Sequence, residues 1–286
     1  MSDRRLTRAQ QIERSIIKKF RKSIWNGFVA AVQEYDLIRA GDRIAVCISG
    51  GKDSMLLAKC MQQLCRHTDR PFELVFLVMD PGYAEENRQL LCKNLETLEI
   101  EAEIFESNIF DVVHDAGGSP CYLCARMRRG ALYAEAKRRG CNKIALGHHF
   151  DDAVETLLMS MMYASEIKTM MPKLKSTNFE GMELIRPLYR VKERDIIAWS
   201  EYNELRFLQC ACKFTQESTE REDLSKRKEI KALIKTLRQT NPEVDDNIFR
   251  SMHNVNLATL PGWRDCDNGD THSFLENYDN IGAAEE

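Results

Sequence analysis

Between residues 8 and 36 apolar side chains recur every three or four positions, at Ile12, Ile16, Ile17, Phe20, Ile24, Phe28 and Val32. That spacing gathers them on one face of a helix, so it predicts an amphipathic helical lead-in. From residue 43 the pattern changes. Short continuous apolar runs predict strands at 43–48, 73–79, 101–106, 143–147 and 182–187. Helical periods fall between and after them, at 54–65, 84–98, 123–139, 151–163 and 191–203. Regular alternation of this kind predicts an α/β fold, a parallel sheet flanked by helices. A further helix is expected at 217–239, followed by a segment poor in apolar residues whose acidic end is expected to be partly disordered. The chain thus divides into an N-terminal helical segment (1–40), a main α/β domain (41–215) and a C-terminal helical and irregular extension (216–286).

In sheets of this class ligands bind outside the carboxyl ends of the strands, where helices begin. The stretches to inspect are therefore "SGGKDS" at 49–54, "MDPG" at 79–82, "GHHFDD" at 147–152 and "RPL" at 186–188.

Composition narrows the class. The 286 residues are 43% hydrophobic, enough for one good core with or without a smaller subdomain. The longest apolar runs, such as "LVFLVM", are far shorter than the roughly 20 residues that span a bilayer. The chain opens on charge rather than on a signal-like apolar stretch, so a cytoplasmic protein without membrane attachment is expected. The net charge of −3 conceals an asymmetry. Residues 1–22 hold eight Arg or Lys against two acids, and residues 243–286 hold ten acids against two bases. The basic arm reads either as a contact for a polyanion or as a solvated helix face.

Ten cysteines in such a chain are not expected to form disulfides. Cys47, Cys60, Cys65, Cys92, Cys141 and Cys266 stand alone and read as inert filler. Cys121 and Cys124 form a CxxC at the opening of a helix that also carries Arg126, Arg128 and Arg129, and Cys210 and Cys212 form a second close pair. A helix N-terminus lowers thiol pKa and favours ligation or redox work. Four thiolates would close a structural zinc site or cap a cluster; three would leave one iron of a cluster open.

The glycine turn carries the sharpest signal. Gly50 and Gly51 let the backbone take positive φ and approach a ligand closely, and the following helix offers free N–H groups, an anion pocket. The stretch fits neither the Walker pattern nor the dinucleotide fingerprint. At the other strand ends, Asp152 of "GHHFDD" can reach a metal–phosphate group, and His148 and His149 either take part in proton transfer or cap the next helix. Arg186 and Lys192 read as RNA-phosphate ligands or as plain surface charge.

The hexad SGGKDS resembles the pyrophosphate loop of the PP-loop ATP pyrophosphatases, which cleave ATP to AMP and pyrophosphate. This likeness implies that Ser49, Gly50, Gly51, Asp53 and Ser54 hold pyrophosphate with Mg2+, and that Lys52 adds a point charge. Met79, with Asp80, and Gly147 then fall where that superfamily places nucleotide contacts. With "CYLCARMRRGALY", "LGHHFDDAVETLLMSMMY", "MPKLKS" and "IRPLYRVKERDI" added, the chain resembles the TtcA-type tRNA 2-thiocytidine synthetases over roughly residues 20–215.

The resemblance implies an ATP-dependent sulfurtransferase acting on C2 of cytidine 32 in tRNA, with a 4Fe-4S cluster, a cysteine desulfurase or other sulfur donor, and a homodimer. It points to Lys52, Asp53 and Asp152 for catalysis, and with a tRNA substrate the basic helix offers Arg126, Arg128 and Arg129 as contacts for RNA phosphate. It gives the cluster Cys121, Cys124 and a cysteine from a later Pro-Cys-x-x-Cys segment. This chain has "QCAC" there: Cys212 aligns with the second cysteine of that pair and Cys210 is its substitute. The alternative implied by the residues is another PP-loop tRNA thiolase or ligase with structural zinc at the cysteines.

Overall fold

The computed structural model describes residues 6–106, 120–208, 222–265 and 269–280. Its chain forms two compact units, Met1–Ala232 and Leu233–Glu286.

The first unit is built on a six-stranded sheet. Its strands are β1 (Arg43–Ile48), β2 (Glu73–Asp80), β3 (Ala102–Glu106), β4 (Lys143–Ala145), β5 (Lys173–Lys175) and β6 (Glu183–Ile185), in the order β3-β2-β1-β4-β6-β5. All neighbours run parallel except β5, which joins the edge antiparallel to β6. β1 lies mid-sheet, paired from Arg43↔Glu73 to Ile48↔Val78 on one side and from Ile44↔Lys143 to Val46↔Ala145 on the other. A strand covered on both faces needs a continuous apolar run, and "RIAVCI" supplies it. Ile44, Val46 and Ile48 pack into one helical layer; Ala45 and Cys47 face the other, with Tyr133 and Ala136. From β1 the chain steps to β2 and β3, then returns to β4 on the far side, which opens a crevice between the carboxyl ends of β1 and β4.

The helices of this unit are α1 (Arg8–Ile17), α2 (Asn26–Glu34), α3 (Lys52–His67), α4 (Glu85–Thr97), α5 (Pro120–Arg138), α6 (Phe150–Tyr163) and α7 (Glu193–Tyr202), and α8 (Glu222–Thr240) begins in it. The single helix expected over 8–36 is instead two helices joined by a π-helical turn, Arg21–Trp25. The cause is visible in the spacing. Ile12, Ile16, Phe20, Ile24 and Phe28 are all buried, and they follow one another strictly by four. At 3.6 residues per turn a period of four drifts around the helix by about 40° at each step. The widened turn, with Phe20 N–H donating to Ser15 and Trp25 N–H to Phe20, takes up that drift and keeps all five side chains inward.

Two further boundaries differ from expectation. The strand expected over 182–187 stops at Ile185, because Arg186 N–H turns to Pro172 and Pro187 has no donor for the ladder. α5 begins earlier than position 123, with Pro120 in its first turn, where a missing N–H costs nothing.

The second unit holds the end of α8, a helix α9 (Val244–Ser251) and a hairpin of β7 (Gly262–Arg264) with β8 (Thr271–Ser273). The end of α8 belongs to the helix expected at 217–239, whereas α9 and the hairpin stand where the sparse apolar pattern predicts little regular structure. Polar pairs and rings compensate: Arg238 holds the buried Asp245 at 2.8 Å, and Trp263 stacks on His272. Among the described residues no helix is long and apolar enough to cross a membrane.

Candidate active site

β1 delivers the chain to Ser49, and the next two residues turn it into α3. Gly50 has φ +83°, a conformation that L side chains rarely adopt, and a Cβ there would lie 2.6 Å from Leu208. Leu208 N–H in turn donates to the Gly50 carbonyl at 3.2 Å. Ser54 Oγ braces the turn: it donates to the Gly51 carbonyl at 3.0 Å and accepts from Ser49 N–H at 3.2 Å. The first α3 residue that makes the helical bond is Met55, to Gly51, so the backbone N–H groups before it are available to a ligand.

The second wall is the end of β4. Gly147 packs against the opening of α3 so closely that a Cβ would sit 3.0 Å from Ser54 N and 3.1 Å from Asp53 C. His149 then caps α6, with its N–H donating to Asp152 Oδ2 at 3.0 Å and its Nε2 3.8 Å from Asp53 Oδ1. Burial pushes the Asp152 carboxyl up, but His149, His148 and Arg227 outweigh it and hold the group below its usual range. His148 is driven down to about 4 by burial, so its ring is neutral near pH 7. Asp53 Oδ1 is buried without a well-formed hydrogen bond, paired to the Lys52 ammonium at 3.2 Å.

These walls enclose a cavity of about 430 Å³ at the crevice between β1 and β4. Ser49, Asp53, Ser54, Tyr83 and Arg128 line it with polar groups, and Met79 and Leu132 supply apolar contact. Asp80 does not enter the cavity lining. It accepts the N–H groups of Gly82 and Tyr83, at 2.8 and 2.9 Å, and so shapes the turn that presents Tyr83.

A set of charges closes the remaining side. Lys52 Nζ is 3.1 Å from Glu193 Oε1, and Lys231 Nζ of α8 is 3.0 Å from Glu193 Oε2. Arg227, one turn earlier on α8, lies 3.3 Å from Asp152 Oδ1 and 3.5 Å from Glu155 Oε2. Burial pushes Glu155 up to about 7, because two cations at partial distance do not repay the loss of water. Burial also raises Glu193, yet Lys231 and Lys52 overcome it and bring that group down to about 2.

The comparisons with known proteins bear directly on this geometry. Residues 10–234 match the PP-loop domain family. The chain is 36% identical to the tRNA-cytidine(32) 2-sulfurtransferase of Geobacter metallireducens, across 83% of this chain and 91% of the relative. It is 35% identical to the protein of that name from Vibrio cholerae, across 98% and 89%. This chain belongs to the tRNA-cytidine(32) 2-sulfurtransferase family of PP-loop proteins. The fold is similar to that of the U34-tRNA thiolase NcsA from Methanococcus maripaludis, solved with its [4Fe-4S] cluster, with a TM-score of 0.65 at 19% identity over 96% of this chain and 91% of that one.

Within this PP-loop fold, Ser49, Asp53, Ser54, Met79, Gly147 and Asp152 converge on one cavity, and Gly50, Gly51 and Lys52 form the adjoining turn. Arg128 borders the cavity and Arg129 is exposed, whereas the Arg126 side chain lies outside the described residues. Cys121 and Cys124 fall in the first turn of α5, their side chains outside the description, and Cys210 and Cys212 lie outside the described residues altogether. Arg186 is buried and donates to the Met171 carbonyl, so it is an interior residue rather than a surface phosphate ligand. Lys192 lies over the Phe150 ring.

Sequence reasoning missed Tyr83, Glu155, Glu193, Arg227 and Lys231. The i, i+4 pair Arg227 and Lys231 on a predicted helix was a weak signal, indistinguishable from a solvated face.

Proposed function

We propose that this chain is an ATP-dependent sulfurtransferase that replaces the C2 oxygen of cytidine 32 in tRNA with sulfur. The observation that carries the reading is the strand–glycine–helix turn of 49–54, whose free N–H groups and serine hydroxyls open into the crevice between β1 and β4. Adenine and ribose rest toward Met79, and the phosphates lie along Ser49, Gly50, Gly51 and Ser54, with Lys52 beside them. Asp53 faces Mg2+, a role that suits a carboxylate that has the Lys52 ammonium at 3.2 Å and whose Oδ1 makes no well-formed hydrogen bond. Asp152, held ionised, fixes His149 and the end of β4 against the phosphates.

In the first step the C2 carbonyl oxygen attacks the α-phosphorus, and the α–β bond breaks with release of pyrophosphate. Helix N–H groups and Lys52 stabilise the charge that gathers on the departing group, and Mg2+ held by Asp53 would supply further positive charge there when bound. In the second, a sulfur nucleophile adds to C2 and the C2–O bond breaks, so the oxygen leaves with AMP.

The donor set fits an iron–sulfur group. Cys121 and Cys124 stand three positions apart at the start of α5, and thiolates are the donors such clusters take. Cys121, Cys124 and Cys212, with Cys210 as substitute, would hold a 4Fe-4S cluster, which supplies an open iron for sulfur when bound. Arg126, Arg128 and Arg129 hold the RNA backbone by phosphate contacts that position without specifying. A sulfur donor such as a cysteine desulfurase completes the cycle, and the working protein is a homodimer.

The test is mass spectrometry of tRNA nucleosides from cells with and without this protein. Loss of 2-thiocytidine on deletion, restored by the wild-type chain, is the expected result. An unchanged 2-thiocytidine level sinks the target assignment.

A further inference from the structure

Lys52 Nζ and Lys231 Nζ lie 3.1 and 3.0 Å from opposite oxygens of one carboxylate, Glu193. Glu193 is itself fixed, because its backbone N–H donates to Asp151 Oδ2 at 2.7 Å. Beside them, Arg227 bridges Asp152 and Glu155 at 3.3 and 3.5 Å, and Lys231 reaches Glu155 at 3.6 Å. The result is an alternating row of charge, from Lys52 through Glu193, Lys231, Glu155 and Arg227 to Asp152, of which Glu193, Lys231, Arg227 and Asp152 line the same cavity as Ser49 and Ser54. Surface ion pairs need no purpose, but Arg227 and Lys231, partly exposed themselves, reach inward to carboxylates that run from the enclosed Glu155 to the partly buried Asp152 and Glu193.

The geometry points to Arg227 and Lys231 as a cationic arm for the β- and γ-phosphates of ATP, acting with Lys52 around the shared pivot of Glu193. The inference rests on the nucleotide reading of the cavity and adds to it residues outside the glycine turn. The helix N-terminus and Lys52 provide one side of a polyphosphate cradle; a chain of three phosphates extending across the crevice needs cations on the other. Arg227 and Lys231 are placed there, and their present carboxylate partners are acceptors that a phosphate oxygen can replace. Lys231 already lines the cavity, 3.0 Å from Glu193. An RNA phosphate is the less suitable occupant. The two cations pair with Asp152 and Glu193, which line the cavity together with the serines of the glycine turn.

The test is equilibrium binding of ATP, AMP and pyrophosphate, each with Mg2+, to the purified full-length chain and to Arg227→Ala, Lys231→Ala and Lys231→Arg. Both alanine variants are expected to weaken ATP and pyrophosphate about tenfold while AMP stays within about twofold, and Lys231→Arg to keep most of the ATP affinity. If an alanine variant fails to fold, Arg227→Lys, which retains the cation but not the fork, carries the comparison: a selective loss of ATP over AMP supports the arm. Equal weakening of ATP and AMP overturns it as mere scaffolding. Unchanged ATP binding with weakened tRNA binding overturns it in favour of an RNA contact. A wild-type chain that binds no ATP removes the nucleotide reading itself, and this arm with it.

Discussion

Gly147 and Ser54 meet backbone to backbone: a Cβ on the glycine would lie 3.0 Å from the serine nitrogen, closer than nine in ten real Cβ contacts. The neighbour that would have to yield is the first turn of α3, the part whose N–H groups face the cavity. Gly147→Ala is therefore expected to push the end of β4 and the glycine turn apart, at about 1–3 kcal/mol if the helix start shifts to relieve the contact. ATP affinity should fall more than stability suggests, because the displaced atoms are the phosphate-facing ones. Titration calorimetry with ATP alongside thermal unfolding checks this; a variant equal to wild type in both means that the close approach has no role.

Glu155 supplies a pH test. Its carboxyl is pushed up to about 7 in the folded protein by burial, against an ordinary value of 4.5. Between those values the folded chain keeps the proton that the unfolded chain releases, so this group lowers stability as pH rises from about 4.5 to about 7. Above that range the loss is complete. Glu155→Gln removes the effect, and the variant should gain on wild type by on the order of 2 kcal/mol between pH 5 and pH 8. Urea unfolding of both proteins at the two pH values reads the difference directly. A gap that stays constant, or that favours wild type at pH 8, shows that the carboxylate is well paired after all.

How far the sequence reveals this arrangement depends on how local the information is. The turn at 49–54 was legible because everything it needs is contiguous: an apolar strand, two glycines and a helix start. The edge strand β5 was not, because "KLK" has no apolar alternation and acquires its conformation from pairing with Lys175↔Glu183 and Lys173↔Ile185. The five-fold repeat of four from Ile12 to Phe28 was visible as a helix, while the π turn it forces was not read. Glu193, Arg227 and Lys231 were hidden for a different reason. Their meeting is tertiary, and a charged residue on an amphipathic helix looks the same whether its outward face meets water or another domain element. Arg186 shows the converse error, since a charge beside a proline reads as surface and is here enclosed.

Lys52 and Asp53 separate binding from folding. Glu193 keeps Lys231 when Lys52 is removed, so Lys52→Met should retain the fold. ATP–pyrophosphate exchange, in contrast, should fall by about a hundredfold or more, the scale of losing one preorganised charge at a developing anion. Asp53→Asn leaves the size unchanged and removes the charge that faces Mg2+. Its loss of exchange should be partly recovered at high Mg2+, which Lys52→Met will not show. Identical Mg2+ responses in the two variants would falsify the division of roles.

The cysteines and the nucleotide pocket make the last prediction because they are separable in the chain. Cys121 sits at the start of α5, and the phosphate-facing groups sit on α3 and at the end of β4. Anaerobically purified Cys121→Ala should lose most of its iron and its visible iron–sulfur absorbance, and cells carrying it should lack 2-thiocytidine. Its ATP affinity should stay within about twofold of wild type, since no cysteine thiol is needed to hold phosphate. Chelation of the wild-type protein should reproduce that pattern: no thiolation, intact ATP binding. Iron absent from wild type and zinc present in stoichiometric amount, with 2-thiocytidine still made, would leave the cysteines a structural task and move sulfur delivery to another protein.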